Sequence, residues 1–197
     1  MEIMPLLTDS NLHEELEFKD IDHSNQRLYG VKFELCTFIN CDFSKTDMAE
    51  STFIDCTFIS CNLSLANVKQ TAFNEVKFKK CKLLGIDFSK CRDFLLAFSF
   101  DECILSSCSF ASLKIGGTRF NKCMMHDTQF VNTELVGCTF DGCDMTNTFF
   151  DHSNLEKADF RNAENYSIDP EINRMKGTIF SRLGLDGLLN KYKLDVR

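Results

Sequence analysis

From Phe33 onward an apolar residue recurs at every fifth position: Phe33, Phe38, Phe43, Met48, Phe53, Phe58, Leu63, Val68, Phe73, Phe78, Leu83 and Phe88. The spacing stumbles once, near Cys91 to Ala97. It resumes two residues out of phase, from Leu95 through Phe100, Leu105, Phe110, Ile115, Phe120, Met125, Phe130, Leu135, Phe140, Met145, Phe150 and Leu155 to Phe160. Neither the 3.6-residue period of a helix nor the two-residue period of a strand produces this pattern. Two positions before each of these pentad centres lies a smaller residue, such as Val31, Thr46, Ser51, Ala66, Thr71, Thr118, Thr133 or Ala158. All 11 cysteines share that smaller position: Cys36, Cys41, Cys56, Cys61, Cys81 and Cys91 before the stumble, and Cys103, Cys108, Cys123, Cys138 and Cys143 after it. Chance would scatter them over all phases. The remaining positions are rich in Asn, Asp, Lys, Ser and Glu.

A longer period is superimposed. Allowing for the two-residue insertion, Phe18, Phe38, Phe58, Phe78, Phe100, Phe120, Phe140 and Phe160 repeat at four-pentad intervals, as do Cys41, Cys61, Cys81, Cys103, Cys123 and Cys143. A chain that returns to the same side-chain identity every fourth pentad is predicted to form a four-sided coil with one pentad per side. Successive coils then stack like parallel strands, about 4.8 Å apart. A single coil cannot bury its inner face. Stacked coils share one interior and satisfy one another's backbone groups. The centre and the small residue point inward, like over like, and the other three positions face water.

The segments CDFSK (Cys41–Lys45), CNLSL (Cys61–Leu65), CTFDG (Cys138–Gly142) and ADFRN (Ala158–Asn162) resemble the motif of the pentapeptide-repeat family. The match runs from Val31 to Asn162, with looser pentads back to Leu16. The resemblance implies an all-β fold, a right-handed quadrilateral parallel β-helix, here of about seven coils and ~34 Å long. It also implies a function without catalysis. The best-studied members imitate a rod of duplex DNA and protect DNA gyrase from quinolones or toxins, and members with a C-terminal helix often pair through it.

On this reading residues 1–15 form an N-terminal cap, 16–163 the β-helix with its bulge near 92–97, and 164–197 a C-terminal turn and helical cap. Both open edges of a solenoid need covering. Met4 to Leu16 is the candidate lid at one end, with a helical turn started by Asp9 or Ser10. At the other, a turn at Ser167–Pro170 precedes an amphipathic stretch from Arg182 to Leu194 with Ser181 as its N-cap. Leu185, Leu188, Leu189 and Tyr192 would share one helical face, which serves either as a lid over the last coil or as a dimer contact. The bulge places Phe94 and Phe98 in unusual positions, and Phe98 falls in the small-residue phase. It is either a scar in the repeat or a recognition feature.

Composition narrows the function. A formal net charge of −7 argues against a sequence-independent grip on nucleic-acid phosphates. No apolar run is long enough to cross a bilayer, and Met1 to Ser10 does not read as a signal peptide, so the expected compartment is the cytoplasm. There the cysteines are expected to be reduced and buried as small hydrophobes; a ladder holding a soft metal is the alternative. Cysteines stacked about 4.8 Å apart are too widely spaced for disulfides, whose Cβ atoms lie nearer 3.8 Å. Residues 93–160 hold 10 acidic and 4 basic groups, whereas 31–92 hold 7 acidic and 9 basic, with Lys77, Lys79, Lys80 and Lys82 clustered. Asp101, Asp141 and Asp144 in the acidic half are the candidate partner-binding residues, although the acidic columns are not continuous, Asp101 and Asp141 bracketing Asn121. A merely solvated exterior would carry the same charges.

Catalytic chemistry is not expected. None of His13, His23, His126 and His152 falls in a metal-ligand pattern. Cys123 and His126 are three apart but should diverge, one inward and one outward. Gly116–Gly117 is an isolated pair, and a filled solenoid has no pocket by construction. No cofactor or metal is called for, and neither direct nucleic-acid nor membrane binding is expected. Two functional readings remain: a module that binds a type II topoisomerase, and a structural or interaction scaffold for another protein. An enzyme or metal protein is the disfavoured third.

Overall fold

A computed structural model describes Leu7 and residues 10–194. The described chain is a right-handed parallel β-helix of about 7 turns. On the first side of the coil, strands β1 (Leu12–Glu14), β3 (Lys32–Glu34), β5 (Thr52–Ile54) and β7 (Ala72–Asn74) pair in chain order. The second side carries the longest ladder: β2 (Glu17–Lys19), β4 (Thr37–Ile39), β6 (Thr57–Ile59), β8 (Val76–Lys79), β9 (Phe98–Asp101), β10 (Arg119–Asn121) and β12 (Thr139–Asp141). The third side holds isolated bridges such as Asp42↔Asn62 and Met124↔Asp144. The fourth holds β11 (Gln129–Val131) and β13 (Phe149–Asp151). Pairing partners lie 20 residues apart, as in Phe33↔Phe53, except across the bulge, where Phe78↔Phe100 are 22 apart. Most corners are turned by a residue with positive φ, recurring every five positions through Glu15, Asp20, Asn25 and Gly30 up to Gly85. This costs non-glycine residues about 1 kcal/mol each. In return the corner N–H points along the rod axis and bonds the next coil, as Asn25 N–H does to Ser44 O at 2.9 Å.

Inside, the centres stack like on like. Phe18, Phe38, Phe58, Phe78, Phe100, Phe120, Phe140 and Phe160 form one column with ring centroids 4.5 to 5.3 Å apart. The small slot has a chemical requirement besides size. Thr46 Oγ1 donates to His23 O at 2.7 Å, Thr128 Oγ1 to Leu105 O at 2.9 Å and Cys61 Sγ to Phe38 O at 3.4 Å. In each case the acceptor belongs to the preceding side of the coil below. Cysteine thus shares the slot with Ser and Thr as a short donor, and all 11 thiols are free and buried.

The bulge exchanges one aromatic column for another. Before it, His13, Phe33, Phe53 and Phe73 stack on the first side, edge-on to the second-side column, as Phe33 is to Phe38 at 5.3 Å and 74°. After it, the first-side centres become Ile115, Leu135 and Leu155. A new aromatic column, begun by Phe88 just before the bulge and continued by Phe110, Phe130 and Phe150, stacks on the fourth side at 4.9 to 5.1 Å. Phe98 occupies the junction. Its ring is buried 5.6 Å from Phe88 and 5.1 Å from Phe100, filling interior left by the first-side centre that this coil lacks. Leu95, expected as that centre, is instead exposed at a positive-φ position, because the two extra residues lift it off the coil.

Both ends depart from the expected boundaries. The ladder starts inside the presumed cap of residues 1–15: β1 pairs with β3, and the His13 ring stacks beneath Phe33 at 5.0 Å. Histidine fills a centre position there, so an apolar pattern alone does not reveal it. Leu7 is buried, and His13 Nε2 meets its carbonyl at 3.0 Å. Ser10 begins no helical turn, and the turn started by Asp9 lies outside the described residues. At the far end the repeat passes residue 163. Bridges Asn154↔Arg174 and Asp159↔Ile179 add another partial coil, and Phe180 stacks on Phe160 at 5.4 Å. The pattern fades because Asn165 and Pro170 hold the intervening centre positions while Tyr166 and Ile168 are buried instead. The amphipathic stretch is 3-10 rather than α-helical, in two pieces, Arg182–Leu188 and Asn190–Tyr192. Ser181 caps it by accepting from Gly184 N–H at 3.1 Å. A 3-10 turn eclipses residues three apart, which brings Gly184 and Gly187 together against Tyr166, where either Cβ would collide with it.

Candidate partner-binding surface

With the interior filled, whatever the rod offers another molecule lies outside. On the second side each strand points its centre inward and the residues on either side of it outward. This yields two outer rows along the axis. One row runs Lys79, Asp101, Asn121, Asp141, and the other Lys77, Ser99, Arg119, Thr139. Asp101 and Asp141 therefore share a row. Asp144 lies around the corner on the third side, beyond Gly142, so the three carboxylates span two adjacent sides rather than one surface.

Each of the three is held by an asparagine from the following coil. Asn121 Nδ2 donates to Asp101, Asn162 Nδ2 to Asp141 at 2.7 Å and Asn165 Nδ2 to Asp144 at 2.9 Å. The same arrangement recurs where Asn67 donates to Asp47 at 2.7 Å and Asn154 to Glu134 at 2.7 Å. An amide donor orients a carboxylate without cancelling its charge, so the negative groups are fixed in place. The pattern was present in the sequence as an Asn 20 or 21 residues after an acid, but the acidic residues alone did not disclose it. Asp144 is the most heavily bonded, accepting also from Thr146 Oγ1 at 2.8 Å and meeting His126 Nε2 at 2.7 Å. Partial burial raises its carboxyl, yet the bonds from Asn165, His126 and Thr146 win and hold it well below the usual carboxylate range. His126 thus faces outward while Cys123 is buried, and the two diverge.

The basic cluster meets the acidic half on this same side. Lys79 is the register neighbour of Asp101, and Lys80 Nζ lies 3.9 Å from Glu102. Further along, Arg161 is bonded to Asp159, with Nη2 and Oδ2 at 2.6 Å. At the C-terminal end, Leu188 packs against the core, whereas Leu185, Leu189 and Tyr192 are exposed. Lys191 Nζ bridges Asp169 at 2.7 Å and Glu171 at 2.6 Å, and Tyr192 OH donates to Glu171 at 2.9 Å. One of the four expected dimer contacts therefore belongs to the lid.

A pentapeptide repeat region model matches residues 31–93, and a model of pentapeptide repeats (8 copies) matches 103–142 and 134–164. The chain belongs to the pentapeptide-repeat family. The gap between the matches coincides with the bulge, where the register of the repeat shifts by two residues. No curated protein matches the chain in sequence. Among solved structures it is similar to a trypsin-treated variant of QnrB1, described as a plasmid-mediated fluoroquinolone resistance protein. That similarity has a TM-score of 0.61 at 20% identity and covers 94% of this chain and 100% of the other. A second trypsin-treated QnrB1 variant gives a TM-score of 0.61 at 17% identity, over 94% of this chain and 91% of that one. At these identities the pentapeptide-repeat protein shares a fold with QnrB1. No helix among the described residues is long and apolar enough to cross a membrane.

Proposed function

We propose that this pentapeptide-repeat protein is a non-enzymatic, cytoplasmic protein-binding module that mimics duplex DNA in the DNA-gripping groove of gyrase or topoisomerase IV and so protects against quinolones. The observation that carries this reading is the exterior of the acidic half, where Asp101 and Asp141 line one row and Asp144 the adjacent side, each fixed by an asparagine. Fixed charges on a rigid rod suit a groove built for phosphates, because neither side pays ordering entropy at the moment of contact. The fold shared with a fluoroquinolone resistance protein supports the choice of partner. The experiment is supercoiling by the host's own purified gyrase with ciprofloxacin, titrated with this protein. Protection or inhibition that weakens with salt is expected. Asp101→Asn, Asp141→Asn and Asp144→Asn together should reduce it without unfolding, since an amide oxygen still accepts from the neighbouring asparagine. No effect at large molar excess sinks the proposal.

The second reading, a scaffold for a different protein, is favoured by Lys77, Lys79 and Arg119 on the same side, which interrupt a DNA-like surface. We also propose a homodimer through the C-terminal end, on the exposure of Leu185, Leu189 and Tyr192. Light scattering should show a dimer that Leu185→Ser with Leu189→Ser converts to monomer. A wild-type protein that stays monomeric at high concentration ends that idea.

A further inference from the structure

The two extra residues at the bulge leave an apolar pair in water. Phe94 is 73% and Leu95 61% exposed, side by side on the first side of the rod. Beside them, at the corner between the first and second sides, lies a groove of about 220 Å³. Leu96 and Phe98 contribute its apolar lining. Lys77 walls it from the coil below and Arg119 from the coil above. Gly117 lines it without a side chain and faces open space, while Gly116 beside it lies close against Val136 of the next coil. Lys77, Arg92, Lys114 and Arg119 are all exposed, and none takes part in an ion pair among the described residues. Glu75 lines the groove itself, Asp93 precedes Phe94 in the chain and Glu134 is the register neighbour of Lys114, so four cations face three carboxylates and this corner is net positive on a chain of net −7.

We propose that this corner docks an acidic segment of another protein that carries an aromatic or leucine side chain. The apolar side chain would cover Phe94 and Leu95 and enter the groove beside Leu96, while flanking carboxylates meet Lys77 and Arg119. Exposed apolar surface rimmed by polar and charged groups, here with cations in excess, is the arrangement of a protein interface. Charge complementarity then selects the occupant. A nucleic acid would match the cations but not the apolar pair, and the rod's overall charge opposes it. The surface lies on the opposite edge of the second side from Asp101 and Asp141, so the proposal goes beyond the topoisomerase reading and stands without it.

The test is selection of phage-displayed random dodecapeptides on the full-length chain, with parallel selections on Phe94→Ser/Leu95→Ser and on Lys77→Glu/Arg119→Glu. All four side chains are exposed, so both variants should melt like the wild type. If one does not, Phe94→Ala and Lys77→Gln/Arg119→Gln replace it. Peptides with at least two acidic residues beside Phe, Trp or Leu should enrich on the wild type alone. A fluorescein-labelled representative should bind each variant at least about ten-fold more weakly by anisotropy, and added salt should weaken its binding to the wild type. Enrichment that does not distinguish wild type from variants overturns the proposal, as do neutral or basic consensus peptides. So does a mass that doubles with concentration in light scattering and reverts with Phe94→Ser/Leu95→Ser, which would make a second copy the occupant. Displacement of the peptide by a short DNA duplex would assign the corner to nucleic acid instead.

Discussion

Phe100→Ala tests the stacked interior where it is most constrained. The Phe100 ring is 1% exposed. It lies between Phe78 at 5.2 Å and Phe120 at 5.3 Å, both at 8°, with Phe110 edge-on at 6.1 Å. Losing the buried ring forfeits about 2 kcal/mol of transfer free energy. A residual cavity of order 100 Å³, at ~24 cal/mol per Å³, adds about 2 kcal/mol more. Collapse is restricted because β8, β9 and β10 are locked in register on either side. The expected loss is therefore about 4 kcal/mol, within the usual range for Phe→Ala. Urea unfolding followed by circular dichroism and by tyrosine fluorescence measures it, two probes being needed because a solenoid can unfold in parts. Phe94→Ala, six residues away and 73% exposed, should stay within about 0.5 kcal/mol of wild type. A loss below about 1 kcal/mol at Phe100, or an equal loss at Phe94, would refute the assignment of centres around the bulge.

The buried thiols set an alkaline limit. Burial pushes Cys56, Cys108 and Cys138 up to about 12, against about 8.5 for an exposed thiol. Their contribution is complete below pH ~8.5 and is lost as pH rises toward the folded value, about 2 kcal/mol per thiol by pH 10. Melting temperatures at pH 8 and pH 10 should show the fall, and a Cys56→Ser variant should fall less. Titration with a thiol reagent at pH 7.5 should label few of the 11 cysteines until denaturant is added; rapid native labelling of most would contradict their burial. Asp144 acts in the opposite direction. Its carboxyl is depressed in the folded state, so its contribution is present above pH ~4 and is lost as pH falls below that. Asp144→Asn should flatten the acid arm of the melting profile, and an unchanged slope between pH 4 and pH 2 would count against its bonds to Asn165 and His126. Gly187→Ala would set a Cβ 2.5 Å from Tyr166 O. It should cost about 1–3 kcal/mol by overpacking and speed cleavage at Lys191 by a lysine-specific protease. Unaltered proteolysis would mean the lid does not rest on Tyr166.

The sequence by itself determined the coil. A five-residue period and its four-pentad overtone fix which residues face inward, because every coil must reproduce the last for its backbone bonds and rings to stack. The Phe18 to Phe160 column and the burial of all 11 cysteines follow from that repetition alone. Tertiary structure decided whatever is not repeated. His13 as a centre and Phe180 as the last member of the column depend on contact with a single neighbouring coil. The 3-10 form of the cap depends on Tyr166 lying beneath Gly184 and Gly187. The exchange of aromatic columns, with Phe98 inside and Leu95 outside, depends on what space the insertion leaves. The candidate surface divides in the same way. That Asp101, Asp141 and Asp144 point outward was legible from phase. That Asp101 and Asp141 share a column was legible too, from the four-pentad period, but that each of the three is held by an asparagine one coil on was not. Period specifies inside and outside, but a charged surface is made of neighbours 20 residues apart, and only the stacked coils bring those together.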